Sequence, residues 1–266
     1  MDIDRIVLKN VVKKYKRFTL KIKHAEFRKG LNLVVGSNGS GKTTMLKMIA
    51  GFTWPSNGNI EIIAEGKKYS PRQAMKLVGY VAEDVIFPNL KVRELIESFS
   101  SGSTCEELIS NLDLRDHLDK KYLELSAGLR KRVQIAIALL KKPKIILLDE
   151  PFSNLDIFII PRIKDILEKL GEKTIIIVTS HIGIEADVET ITILDQGRLL
   201  YHGDPSVIKQ RIVFEADVEG KTVSMDLDAL NKIIHPIKIR SVKINSQTDA
   251  IVDFIKSIKN NKIIHS

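Results

Sequence analysis

Cysteine is almost missing from this chain of 266 residues: Cys105 is the only one. A single thiol excludes an internal disulfide framework, and it excludes a multi-cysteine metal or iron–sulfur site. Cys105 reads as a small packing or surface residue. Long apolar runs are lacking too. No uninterrupted stretch approaches the roughly 20 residues that span a bilayer. The runs at Ile145–Leu148 and Ile175–Val178 have the length of buried parallel strands. The opening residues, MDIDRIVLKN, carry acids early and hold no apolar segment, so they do not read as a secretory signal. Repeats and low-complexity segments are absent as well. What remains is an ordinary soluble composition, 44% hydrophobic and 28% charged, which argues against disorder. The length suits one large domain, or a domain with a small appendage.

Charge is abundant and uneven. The net charge is +9. Residues 1–30 hold ten Lys/Arg against three Asp/Glu. Such a patch suits nucleic acid or anionic lipid, but this one lacks interleaved aromatics and a nucleic-acid motif. The alternation of basic and apolar residues favours the solvated face of early strands.

Hydrophobic periodicity divides the chain into alternating strands and helices. Residues 3–12 and 17–28 alternate as half-buried strands. Leu31–Val35 is a short apolar strand, and Met45, Leu46, Met48 and Ile49 follow at helical spacing until Gly51 stops the helix. Trp54–Gly58 is turn chemistry. Ile60–Ala64 and Leu77–Val81 read as strands. Helical patterns then run from about Val92 to Leu118, broken at Ser100–Thr104, and from Ser126 to Leu140, with Ser126 as the cap. Ile145–Leu148 is a strand, a helix carries Ile163, Ile166, Leu167 and Leu170, and Ile175–Thr179, Ile191–Leu194 and Arg198–Tyr201 complete the core. Strand–helix alternation implies an α/β fold with a parallel sheet. The helical stretch at about 84–142 reads as an inserted subdomain. A tail from about residue 209 returns to mixed patterns, with an amphipathic helical pattern at Ala250–Ile258.

Two segments carry the chemistry. Gly36-Ser37-Asn38-Gly39-Ser40-Gly41-Lys42-Thr43-Thr44 matches G-x-x-x-x-G-K-[ST] between a strand and a helix. Glycines let backbone N–H groups from Gly36 to Gly41 converge as an anion nest, and the helix N-terminus adds its positive dipole end. Lys42 places a point charge on the β- and γ-phosphates, and Thr43 offers a hydroxyl to Mg²⁺. Thr44 is placed to cap the helix or to bond a phosphate. The buried strand Ile145–Leu148 ends in Asp149 and Glu150. Alone that is a strand and an acidic turn. Beside a phosphate loop, Asp149 is placed to hold Mg²⁺ through water, and Glu150 to orient and deprotonate an attacking water.

With these come Leu125-Ser126-Ala127-Gly128-Leu129, the run Arg130–Ala136, Ser153-Asn154-Leu155-Asp156, and His181 at a strand end. In this order they resemble the ABC transporter ATPase family over about residues 3–208. Each motif occurs once, so the resemblance is to a single cassette. It implies a P-loop NTPase core with a parallel sheet, an N-terminal antiparallel β subdomain and an inserted α-helical subdomain. Residues 1–208 would form the cassette, and 209–266 a small α+β extension. It further implies that two cassettes close head to tail around two ATP molecules. Ser126 and the Gly128 backbone of one copy then meet the γ-phosphate held by the other. Asp156 works at the contact between copies, His181 is the switch histidine on the γ-phosphate, and Tyr15 stacks on adenine.

The sequence departs from the family pattern at three places. Glu83 stands where the family has a glutamine that senses Mg²⁺ or water, and it adds negative charge beside the phosphates. Ala127 and Leu129 replace a glycine and a glutamine. The insert between Glu83 and Leu125 is short. The resemblance nevertheless implies ATP hydrolysis with ATP and Mg²⁺. Implied partners are a second cassette and integral membrane subunits, met near Val85–Leu90, at the cytoplasmic face of the cell membrane. No nucleic acid is expected. The rival reading is a soluble ABC-type ATPase acting on nucleic acid or ribosomes. It has the basic N-terminal region for it, and the lack of paired cassettes, coiled coils and iron–sulfur cysteines against it.

Overall fold

The structure is a computed structural model. It describes residues 2–82, 85–100, 104–156, 158–180, 187–206, 212–218, 221–225 and 238–244. The alternating segments at the start form the antiparallel strands β1 (Ile3–Lys14) and β2 (Thr19–Arg28). On its other side β1 pairs with β4 (Asn57–Ala64), and β5 (Lys67–Tyr69) closes that edge. β4 begins within the stretch that reads as a turn, because Asn57 and Asn59 join the ladder of β1. β5 carries two exposed lysines and no apolar pattern, so nothing in its sequence marks it. The short helix α2 (Pro71–Ala74) is set by a capping box, Ser70 with Gln73.

The parallel part contains β3 (Gly30–Gly36), β6 (Val78–Val81), β7 (Ile145–Leu148), β8 (Ile175–Ser180) and β9 (Thr190–Asp195). They run in the order β9-β3-β8-β7-β6. β10 (Arg198–Gly203) turns back against β9 and reaches β2, where Arg198 pairs with Lys21. The antiparallel and parallel halves are therefore one ten-stranded sheet, and the family pattern alone suggests two units. The seam is narrow. His202 on β10 strengthens it by hydrogen bonding to the backbone of Glu26 on β2 at 2.8 Å.

Period-two alternation gives the parallel sheet two apolar faces. One carries Ile145, Leu147, Ile175 and Ile177 and packs on α1 (Lys42–Ile49), through Met45, Leu46, Met48 and Ile49. The other carries Ile146, Leu148, Ile176 and Val178. It packs on α5 (Ala127–Leu140) and α6 (Ile160–Gly171). All four residues of β7 are buried. At about 1.5–3 kcal/mol for each large aliphatic side chain, so short a strand is anchored firmly from both faces. Its C-terminal end, where the two acids sit, has a fixed platform. α3 (Val92–Phe99) and α4 (Thr104–Asn111) complete the helical layer against α5.

Beyond β10 lie β11 (Ile212–Val218), β12 (Lys221–Met225) and β13 (Lys238–Ile244), an antiparallel sheet in the order β12-β11-β13. The amphipathic segment expected at Ala250–Ile258 lies outside the described residues. Among the described residues, no helix is long and apolar enough to cross a membrane.

Candidate nucleotide site

The phosphate loop leaves β3 at Gly36 and enters α1 at Lys42. Gly41, the residue before the helix, has φ 109°, and a side chain there would also meet Leu20 at 2.8 Å. Only glycine suits that turn. α1 has no side-chain cap and no acid in its first turn. The N–H groups at its start therefore lack the side-chain acceptors that helix ends normally recruit, which suits an anion. Ser40 N–H donates to Ser37 O at 3.1 Å, and the Ser37 hydroxyl donates to Asp195 at 3.4 Å, which tie the loop to itself and to β9.

Lys42 is buried, and its ammonium donates to Gly36 O at 2.7 Å and to Ser37 O at 3.2 Å. It also lies 3.2 Å from Glu150 Oε1, itself nearly buried. Residues 37–44 line a cleft of about 320 Å³ together with Phe18 and Glu150. Thr43 and Thr44 are on its wall. Asp149 is fully buried just behind it, at the end of β7. Asp149 Oδ1 accepts a hydrogen bond from Thr179 at 2.7 Å, and Oδ2 has no hydrogen-bond partner among the described residues. A buried carboxylate oxygen without a donor is costly. A hydrated Mg²⁺ would supply one, so the residues present fit that ion. Among the described residues no three acidic, histidine or cysteine side chains cluster as a metal cage. That agrees with Mg²⁺ chemistry, in which one or two protein groups join phosphates and water.

A second group of expected residues lies apart from this cleft. Ser126 is exposed and caps α5, its hydroxyl accepting from Leu129 N–H at 3.2 Å. Gly128 is buried against the next loop, where a Cβ would meet Asn154 O at 2.5 Å. Asp156 is exposed, but its carboxylate is held by the guanidinium of Arg132 at 2.6 Å. Ser126, Gly128 and Asp156 thus form one tip, carried by α5 and the loop after β7. None of them lines the phosphate cleft of its own chain.

A sequence profile of the ABC transporter family matches residues 16–153, more than half of the chain. The chain belongs to the ABC transporter family. The Fe(3+) ions import ATP-binding protein FbpC of Pseudomonas fluorescens is 33% identical over 193 residues, which are 66% of this chain and 54% of that protein. This ABC chain therefore spans about half the length of that relative. The ABC transporter ATP-binding protein NatA of Bacillus subtilis is 29% identical over 209 residues, covering 73% of this chain and 83% of NatA. A bacterial Atm1-family ABC exporter solved with ATP bound superposes with a TM-score of 0.67 at 26% identity. The match covers 77% of this chain and 39% of the exporter.

Within the ABC frame, the departures from the usual signature acquire reasons. Ala127 is the first residue of α5, where a methyl side chain suits a helix. Leu129 packs its side chain against the helical core, a contact that a glutamine amide would not make favourably. Glu83 and His181 lie outside the described residues. Tyr15 is 49% exposed and does not line the cleft. It stacks on Phe18, ring centroids 6.5 Å apart, and Phe18 does line it. Lys13 covers the Tyr15 ring at 5.3 Å.

Three residues of this ABC site escape sequence reasoning. Phe18 had a local signal, an aromatic three residues after Tyr15 at the same turn. Arg132 and Thr179 had none, because their partners are 24 and 30 residues away.

Proposed function

We propose that this protein is the ATP-hydrolysing subunit of an ABC transporter, working as one of a pair of cassettes bound to separate membrane subunits. The observation that carries the reading is the buried approach of Glu150 to Lys42, at 3.2 Å across the phosphate cleft. A phosphate-binding lysine and a water-activating carboxylate share one cleft, as hydrolysis of a triphosphate requires.

In this reading the amides of residues 36–41 and the start of α1 hold the β- and γ-phosphates. Lys42 exchanges its contact with Glu150 for the γ-phosphate when ATP enters. Glu150, released, accepts a proton from the attacking water. Thr43 and Asp149 would hold Mg²⁺, with Glu83 assigned to the same ion; when bound it would offset charge on the phosphate oxygens. Phe18 and Tyr15 flank the adenosine side. Catalysis is positioning and charge stabilisation, since the phosphoryl group passes between oxygens without a covalent protein intermediate.

The exposed tip of Ser126, Gly128 and Asp156 supports a composite site. It does not line its own cleft, so a second copy would bring it to the γ-phosphate, and His181 is assigned to the same group. ATP then holds the pair together, and hydrolysis to ADP and phosphate releases it. The membrane subunits dock at Val85–Leu90. There Ile86 is 79% exposed, Leu90 is 44% exposed, and Leu123 beside them is 48% exposed. The base of that loop is fixed, because Gln134 donates to Val85 O at 2.8 Å. The protein sits on the cytoplasmic face of the cell membrane, with no role for nucleic acid.

The test is Glu150→Gln. It is expected to bind ATP, stop turnover and accumulate as an ATP-bound dimer on size-exclusion chromatography. Turnover at the parent rate would overturn the assignment of Glu150.

A further inference from the structure

Thr179 is a buried hydroxyl that the reading above leaves unused. Four apolar residues precede it in β8, Ile175 to Val178, and it has no exposed surface. Valine has the same shape and a comparable preference for strands. A hydroxyl in so apolar a place is costly unless it is hydrogen-bonded, so its bonds are informative.

β7 and β8 pair in parallel, Ile145 with Ile175 through Leu148 with Val178. One step beyond, the register sets Thr179 beside Asp149, on the face that packs on α1. The Thr179 hydroxyl donates to Asp149 Oδ1 at 2.7 Å and accepts from the Glu150 backbone N–H at 2.9 Å. A hydroxyl has one proton, and here it goes to Asp149. That leaves Asp149 Oδ2 as the oxygen open to a further donor. The second bond acts on Glu150, whose φ of 48° lies in the left-handed region that side chains avoid. Holding its N–H stabilises that turn, and the turn aims the carboxylate at Lys42.

We propose that Thr179 is a positioning residue. Its one hydroxyl occupies Asp149 Oδ1, which leaves Oδ2 for Mg²⁺, and it locks the backbone of Glu150, so that the metal-holding and water-activating acids are set together. The proposal rests on the nucleotide and Mg²⁺ reading of this cleft.

The experiment uses the full chain with Thr179→Val and Thr179→Ser, and Asp149→Asn as control. A fluorescent ATP analogue is titrated in EDTA and again with Mg²⁺, and turnover is followed against Mg²⁺ concentration. Thr179→Val is expected to match the parent in EDTA and to lose about 3- to 10-fold of the Mg²⁺-dependent gain in affinity, the usual worth of one hydrogen bond. Its turnover should also fall, most at low Mg²⁺ concentration, and Thr179→Ser should restore both affinity gain and turnover. If Thr179→Val melts early, Thr179→Ala against Thr179→Ser makes the same comparison. A full Mg²⁺ gain and parental turnover in Thr179→Val, with the gain lost in Asp149→Asn, overturns the role of Thr179 alone. A full gain in Asp149→Asn overturns the metal reading itself.

Discussion

Arg132 and Asp156 are joined by a 2.6 Å ion pair that ties the buried middle of α5 to the exposed loop after β7. The guanidinium is almost fully buried and reaches a second carboxylate, Asp113, at 3.4 Å. The signature tip at the start of α5 and the loop bearing Asp156 are therefore one mechanical unit. Asp156→Ala leaves the buried guanidinium with Asp113 alone. The expected loss is about 1–3 kcal/mol of stability, the cost of an unmet buried polar group, read by denaturant unfolding. Conservative replacement by Asn should recover part of it.

Gly128 tests the same unit from the helix side. A methyl group there would stand 2.5 Å from a backbone oxygen, Asn154 O, which has no side-chain freedom to yield. Gly128→Ala is expected to displace the loop, weaken ATP-driven dimerisation, and leave nucleotide binding to the isolated cleft unchanged. Analytical ultracentrifugation with and without ATP separates the two effects.

At Glu150, removing the base should cost about 10²- to 10⁴-fold in turnover, the range of general-base contributions. Lys42→Ala has a different signature. It deletes a phosphate contact and removes the ammonium that stands 3.2 Å from the nearly buried Glu150 carboxylate. Its apo stability should fall, and Lys42→Ala with Glu150→Gln should be more stable than Lys42→Ala alone. Thermal unfolding of the four proteins completes that cycle.

For the base-binding side, Phe18→Ala is expected to weaken ATP by about 2- to 10-fold, as loss of one aromatic contact does. The effect of Tyr15→Ala should be equal or smaller, because its ring lies outside the cleft. Equilibrium binding of a fluorescent nucleotide ranks the two.

His202 predicts a pH dependence at the sheet seam. Burial lowers its pKa below the ordinary 6.5, and the Glu26 backbone only partly offsets that. The native state therefore binds fewer protons than the unfolded chain just below that pH. Its contribution to stability is complete above about pH 6.5 and declines as the pH falls towards the native value. Unfolding midpoints from pH 8 to 5 should show the decline, and His202→Gln should flatten it.

The phosphate loop, the acid pair Asp149–Glu150 and the Ser126 cap were legible without coordinates. Each is a run of neighbouring residues whose chemistry follows from backbone turns and helix ends, which are local. Phe18 was within reach of the same reasoning, but choosing it over Tyr15 needed the turn between β1 and β2. The positions of Thr179 and Arg132 were decided only by the tertiary structure. The parallel register of β7 with β8 sets one hydroxyl against Asp149. The packing of α5 brings one guanidinium to Asp156. Strand register and helix packing come from the burial of two apolar faces at once, a property of the whole sheet, and no stretch of sequence carries it alone.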